Sequence, residues 1–261
     1  MTERALVVAD PWADLRAFTR ARIALGRAGS SLPTDEVLRF GYAHAMARDA
    51  VQRPLDAAGL ARDLEDAGFS TLRVESAAPN RAAYLLRPDL GRRLDADSIA
   101  RLQESAGVRG EVLAIVGDGL SSLAVSLHAR PLLEALRERL SPALPIGPVI
   151  VATEARVALG DHIGELLQAR MVVMLIGERP GLSSPDSLGV YLTYAPRAGR
   201  QDSERNCISN VRPEGLVYAE AARKTAWLVN EALRLQRSGV ELKDQSDVAE
   251  IGANDRPALP R

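Results

Sequence analysis

Three short stretches combine backbone freedom with groups that bind or react. Gly117-Asp118-Gly119-Leu120-Ser121-Ser122 follows an apolar run and opens helical sequence. Glycines at such a turn let backbone come close to a ligand, and a helix N-terminus attracts phosphate. The pattern is G-x-G-x-x-S and lacks the third glycine of the dinucleotide fingerprint. A nucleotide-binding, oxidoreductase-type domain using the Gly117-Asp118-Gly119 turn is therefore the alternative reading, beside a plain strand-to-helix turn. Gly177-Glu178-Arg179-Pro180-Gly181 closes a second apolar run, and its glycines and proline fix a path that presents Glu178 and Arg179 at a sheet edge. Cys207, in Asn206-Cys207-Ile208-Ser209-Asn210, is the chain's one cysteine, so it forms no internal disulfide. Taken alone it reads as a small buried hydrophobe. No CxxC pair offers a structural zinc site, and no G-x-S-x-G elbow supports a Ser–His–Asp triad around the scattered His44, His128 and His162. These residues name no reaction, no catalytic group on this chain and no metal site.

The elements that must position these stretches follow from periodicity. Val112 to Val116, Val149 to Ala152 and Met171 to Ile176 are continuous apolar runs, as expected of strands buried on both faces. Helical sequence lies between them, from about Ser121 to Leu140 and Asp161 to Arg170. Strand, helix, strand, helix, strand predicts an α/β fold with a Rossmann-like parallel sheet and flanking helices. Tyr191 to Tyr194 reads as another strand, and Pro213 to Gln236 as a last helix with Ala222, Ala226, Val229 and Leu233 on its apolar stripe. Asp97 to Ala106 is a helix carrying Ile99, Leu102 and Ala106 on one side. A small N-terminal helical region precedes the sheet. Asp10-Pro11 is a helix start, with Leu15, Phe18 and Leu25 expected to be buried. Thr34 is the expected N-cap of a helix whose apolar face is Phe40, Ala43, Ala47 and Val51 and which Pro54 ends.

At 261 residues the chain is one large domain or two small ones, and it needs no disulfide to bury a core. A net charge of −1 argues against a partner gripped mainly through phosphate backbone. No apolar run reaches the roughly 18 residues of a membrane span. Met1 to Asp10 carries Glu3 and Asp10 and lacks the basic start and cleavage site of a secretory signal. The expectation is a cytoplasmic protein that binds neither nucleic acid nor membrane.

Six stretches together resemble the small, or light, chain of ethanolamine ammonia-lyase. They are Arg22 to Thr34 (RIALGRAGSSLPT), Tyr84 to Leu94 (YLLRPDLGRRL), Gly117 to Ser122 (GDGLSS), Arg156 to Glu165 (RVALGDHIGE), Ile176 to Leu182 (IGERPGL) and Cys207 to Asn210 (CISN). They come in the family's order and cover nearly the whole chain. The resemblance implies a lyase that converts ethanolamine to acetaldehyde and ammonia by a radical route, active only as a complex with a large subunit. Adenosylcobalamin would carry the chemistry, with protein supplying placement. Val157, Glu178 and Cys207 match the family's cobalamin-contacting positions. Val157 and Cys207 would give apolar contact or backbone hydrogen bonds, and Glu178 would accept from the corrin's amides.

The resemblance further implies a division of labour. Residues 1–94 form a helical and extended region packing on the large subunit, and 95–238 the α/β cobalamin-contacting domain; 239–261, polar and with Pro257 and Pro260, is read from its composition as a flexible tail. The partner is the large subunit, in a dodecamer of six large and six small chains. The place is the cytoplasm, with a bacterial microcompartment as the finer reading. Asp161 and His162 are adjacent, so the D-x-H-x-x-G motif that replaces the lower axial base is missing. The cofactor is thereby expected to be base-on, keeping its own dimethylbenzimidazole on cobalt.

Overall fold

The computed structural model describes residues 6–105, 111–142 and 144–247. Its centre is a six-stranded sheet in the order β1-β3-β2-β4-β5-β6. The strands are β1 (Thr71–Glu75), β2 (Val112–Gly117), β3 (Val149–Thr153), β4 (Met171–Gly177), β5 (Leu188–Tyr194) and β6 (Asn206–Val211). Every residue of β2 and β4 is buried, which explains why their runs are apolar without alternation. β1, β3, β2 and β4 run parallel. The helices are α1 (Thr34–Gln52), α2 (Ala57–Asp66), α3 (Arg81–Leu86), α4 (Ala96–Glu104), α5 (Ser122–Arg139), α6 (Leu159–Leu166) and α7 (Tyr218–Leu235). One core cluster joins α2, α5 and α7 to one face of the sheet, and a second joins α4 and α6 to the other. Among the described residues no helix is long and apolar enough to cross a membrane.

The sheet is mixed and not parallel throughout, which corrects the sequence expectation. β5 is antiparallel to β4 and β6 antiparallel to β5. A parallel return needs a crossover of a dozen residues or so, commonly a helix. The link from β4 to β5 has only Glu178 to Ser187, folded through a turn in which Gly181 and Ser184 exchange backbone bonds, so the chain comes straight back. β1, α2, α3 and β6 are elements that the periodicity did not announce, and β1 lies within the first 94 residues while pairing with β3.

Boundaries shift for local reasons. α6 stops at Leu166 and not at Arg170, because Gln168 takes a left-handed φ of 53° and turns the chain into β4. α7 begins at Tyr218, since Arg212 to Leu216 close a turn back onto Asn210. Asp95 caps α4 by accepting from the Ser98 amide at 2.8 Å; Ala106 lies outside the described residues. Leu242 and Ser246 are buried, and Asn206 donates to the Gly239 and Leu242 carbonyls, so the chain past Gly239 is packed as far as these bonds reach; 248–261 lie outside the described residues.

The N-terminal region departs most from expectation. Asp10 starts no α-helix: it accepts from the Trp12 amide, and a 3-10 helix covers Ala13–Ala17. Leu15 and Phe18, expected inside, are 43% and 87% exposed, and Leu25 is half-buried. Thr34 is the first residue of α1 and provides no cap, because Pro33 takes the cap position. Phe40 of the expected apolar face is exposed, Ala43, Ala47 and Val51 are half-buried, and Ala50 is the one buried residue of α1. The described chain covers that face only in part, with Arg22 over the Phe40 ring at 5.5 Å from its centroid. Gln52 does end the helix just before Pro54.

Candidate functional site

Because β2, β3 and β4 are parallel, their carboxyl ends share one edge, where open α/β sheets bind ligands. Gly117-Asp118-Gly119, Glu154 to Val157 and Glu178 all emerge there. Antiparallel β5 begins and β6 ends at the same edge, adding Ser187 and Ser209 to Val211.

Asp118 is the hub. Its carboxylate is fully buried and accepts from the amides of Glu154 at 3.0 Å and Ala155 at 2.8 Å, and from Arg81 at 3.0 Å. Arg81 also bonds Glu154 at 3.1 Å and the Val51 carbonyl at 2.8 Å, which ties the end of α1 to the site. Burial pushes the Asp118 carboxyl up to about 7 against the opposing pull of Arg81. Glu154 holds a left-handed φ of 51°, unusual for its type, and the Asp118 bonds to its amide and the next fix it there. The Tyr84 hydroxyl donates to the Ala155 carbonyl at 2.8 Å. Burial, with Asp118 nearby, raises the Tyr84 hydroxyl above its usual value, so it stays a protonated donor. The Tyr84 ring carries Arg81 and Arg156 at 4.8 and 4.4 Å from its centroid. The segment leading into Val157 is thus held from both sides.

Val157 and Glu178 meet in one open cleft of about 480 Å³, whose wall also includes Tyr84, Arg156, Tyr191 and Ser209. Both are half-buried. Glu178 divides its carboxylate. Oε2 accepts from the Ser187 hydroxyl and from the Asn210 amide at 3.2 Å, while Oε1 has no hydrogen-bond partner among the described residues. Cys207 does not line this cleft. It is exposed on β6, opposite Tyr191 in the β5–β6 register, with Sγ 3.3 Å from the Ser209 hydroxyl. It stands beside the cleft, next to two residues of its wall, and is not the buried hydrophobe that its type suggests. Burial, with Cys207 adjacent, raises the Tyr191 hydroxyl.

Sequence reasoning missed Arg81, Tyr84, Asp118 as a hub, Ser187 and Asn210. Asp118 and Asn210 lay inside singled-out stretches, but Arg81 reaches the site only through the packing of α3. The Gly117-Asp118-Gly119 turn packs against the β4–β5 loop, and the Asp118 amide donates to the Ala152 carbonyl at 3.4 Å. Gly177 accepts from the Leu120 amide at 2.9 Å, and a Cβ at Gly119 (φ 54°) would collide with the Gly177 carbonyl. Ser121 caps α5 by accepting from the Ala124 amide. Two loops packed backbone on backbone leave little of the turn for a dinucleotide. His162, half-buried, accepts at Nδ1 from the Leu94 amide, and Asp161 is buried against Arg205.

Residues 9–243 match the family model described as the ethanolamine ammonia-lyase light chain. The chain is 53% identical over 262 residues to the ethanolamine ammonia-lyase small subunit of Azotobacter vinelandii, covering 98% of this chain and 97% of that one. It is 56% identical to the small subunit of Pseudomonas paraeruginosa, over 93% of this chain and 90% of the relative. It is 52% identical to that of Xanthomonas campestris pv. campestris, over 97% and 94%.

Proposed function

The chain belongs to the ethanolamine ammonia-lyase light-chain family, and from that premise we propose that it is the half of the lyase that holds cobalamin against the large subunit. The observation that carries this reading is the cleft at the sheet edge, whose wall Val157 shares with Glu178, a residue with one carboxylate oxygen unbonded among the described residues. An open cleft of about 480 Å³ suits one side of a bulky ligand and cannot enclose a corrin, which fits a cofactor shared between two chains. Glu178 Oε1 would accept from a corrin amide. Val157 and Tyr191 would give apolar wall, and Cys207, beside Ser209, would flank it. When bound, adenosylcobalamin supplies the radical by cleavage of its cobalt–carbon bond. This chain's residues bind, orient and exclude water; none needs to exchange a proton. His162 is half-buried and bonded to backbone, which supports a base-on cofactor.

The division into 1–94, 95–238 and 239–261 is read in the same way. The first part would dock on the large subunit through its uncovered side chains, among them Trp12, Phe18, Leu38, Phe40 and Tyr42. The second would face the cofactor. We take the assembly to be a dodecamer of six large and six small chains in the cytoplasm, with a microcompartment as the finer location.

The test is a titration of the reconstituted complex with cyanocobalamin, followed by absorbance and equilibrium dialysis. The wild-type complex binds more tightly than either chain alone. Glu178→Ala forms the same complex with a Kd about tenfold higher, the worth of one hydrogen bond to a charged group. Equal affinity in wild type and variant would remove this cleft from cofactor binding.

A further inference from the structure

A second cleft, of about 670 Å³, adjoins the first and shares Arg156 and Val157 with it. Its lining carries Arg92, Arg93, Arg156, Arg200 and Arg205 against the acids Asp89 and Asp202, in a chain whose net charge is −1. Such local excess positive charge in a concave wall concentrates anions.

The five guanidiniums are not equivalent. Arg200 pairs with Glu204 and donates to the Tyr194 and Ala195 carbonyls. Arg205 pairs with buried Asp161 at 2.5 Å and donates to the Arg200 carbonyl at 2.8 Å. These two form a fixed back wall. Arg93 reaches Asp89 only at 3.7 Å. Arg92 and Arg156 have no hydrogen-bond or ion-pair partner from their side chains among the described residues. The Nε of Arg156 is moreover shielded from water and unbonded. A shielded donor without an acceptor is costly, more so when charged, and a ligand oxygen would relieve that cost. His162 also lines this cleft; because its Nδ1 accepts from Leu94, the proton sits on Nε2 as a further donor.

Planar guanidinium forks match the oxygens of a phosphate ester. We infer that this cleft is a phosphate-ester site, with Arg92 and Arg156 as the pair that grips the anion and Arg93 and His162 beside them. Two sources share that chemistry. One is the phosphodiester in the nucleotide loop of cobalamin, within the same ligand if the reading of the preceding section holds, since the two clefts meet at Arg156 and Val157. The other is a free phosphate ester such as a nucleotide. The inference rests on that reading only for the first source.

Three probes separate the cases: cyanocobalamin, dicyanocobinamide (the same corrin without the nucleotide loop) and ATP. Each is titrated into the reconstituted complex carrying wild-type chain, Arg92→Gln or Arg156→Gln. Arg92 is exposed and touches only this cleft, so its variant folds as wild type and carries the decision. If the cofactor's phosphodiester lies here, Arg92→Gln raises the cyanocobalamin Kd about tenfold and leaves that of cobinamide unchanged. If a free ester lies here, ATP binds saturably to wild type and about tenfold more weakly to Arg92→Gln, with both corrinoids unchanged. Either result supports the site. All three probes unchanged in Arg92→Gln, or cobinamide weakened by that variant as much as cyanocobalamin, overturns it. Failure of both corrinoids to bind the wild-type complex sinks the cobalamin reading instead, and the ATP arm still decides the cleft.

Discussion

Glu178 uses its two carboxylate oxygens differently: Oε2 holds the loop through Ser187 and Asn210, and Oε1 has no partner among the described residues and, on the proposed function, serves the cleft. In Glu178→Gln the amide oxygen takes the loop side, where it can still accept from the Asn210 amide, and the NH₂ turns outward. The acceptor facing the cleft becomes a donor. The expected outcome is an unchanged thermal midpoint and a cyanocobalamin affinity of the complex lowered about tenfold, measured by equilibrium dialysis. An unchanged affinity would mean that Oε1 meets no donor. Asp118→Ala acts differently. It leaves Arg81 beside Glu154 alone and frees the amides that hold Glu154 at positive φ. Breaking a buried charged network costs about 3–5 kcal/mol, so urea unfolding of this variant is expected to shift strongly. Glu178 was legible in the sequence because two glycines and a proline frame it at a strand end. Val157 and Cys207 were singled out only through family resemblance, since a valine and a lone cysteine carry no signal of their own, and of the two Val157 lines the cleft. Arg81 was not legible at all, because its partners lie 37 and 73 positions along the chain.

The central strands are the elements that sequence declares best, because burial on both faces removes polar alternation from β2, β3 and β4. Strand direction is not declared. The β4–β5 loop sets it, and a short loop with a glycine turn reverses the chain whatever the strands contain. The interlock of that loop with the turn after β2 gives a direct test. Gly119→Ala places a Cβ against the Gly177 carbonyl at a positive φ, and is expected to destabilise by more than about 1 kcal/mol in urea unfolding. Ser122→Ala, one turn on, loses only a bond to the Arg53 carbonyl and serves as the milder comparison. The α5–α7 pair gives a pH prediction. His128 on α5 is buried, bonds the Tyr218 hydroxyl at 2.7 Å, and is held by burial below its ordinary value of 6.5. The unfolded chain therefore takes up the proton first as pH falls. Stability from this group is full above about pH 6.5 and is lost below it. Wild type should show a lower thermal midpoint at about pH 5.5 than at about pH 7.5, and His128→Gln a smaller difference. Equal differences in the two proteins would show that other groups set the acid response.

At the scale of the whole molecule, a well-packed α/β body carries an N-terminal stretch that its own core does not cover. Leu6, Val7, Val8, Trp12, Leu15, Phe18 and Phe40 are all exposed. Large uncovered apolar surface on a folded chain marks a docking surface. The sequence suggested burial for Leu15 and Phe18, and both are exposed in the described chain. Under the proposed function this surface docks on the large subunit. Burying one such side chain is worth about 1.5–3 kcal/mol, so Phe18→Ser should leave the thermal midpoint of the isolated chain intact and weaken its association with the large subunit at least tenfold. Analytical ultracentrifugation of the mixture reads this directly, and unaltered association would move the interface elsewhere. The measurement closest to the central claim is acetaldehyde release from ethanolamine with adenosylcobalamin, assayed for this chain, for its large subunit and for the two together. The account predicts release from the mixture and none above background from either chain. Full activity from the large subunit alone, or none from a mixture shown to form the complex, would contradict it.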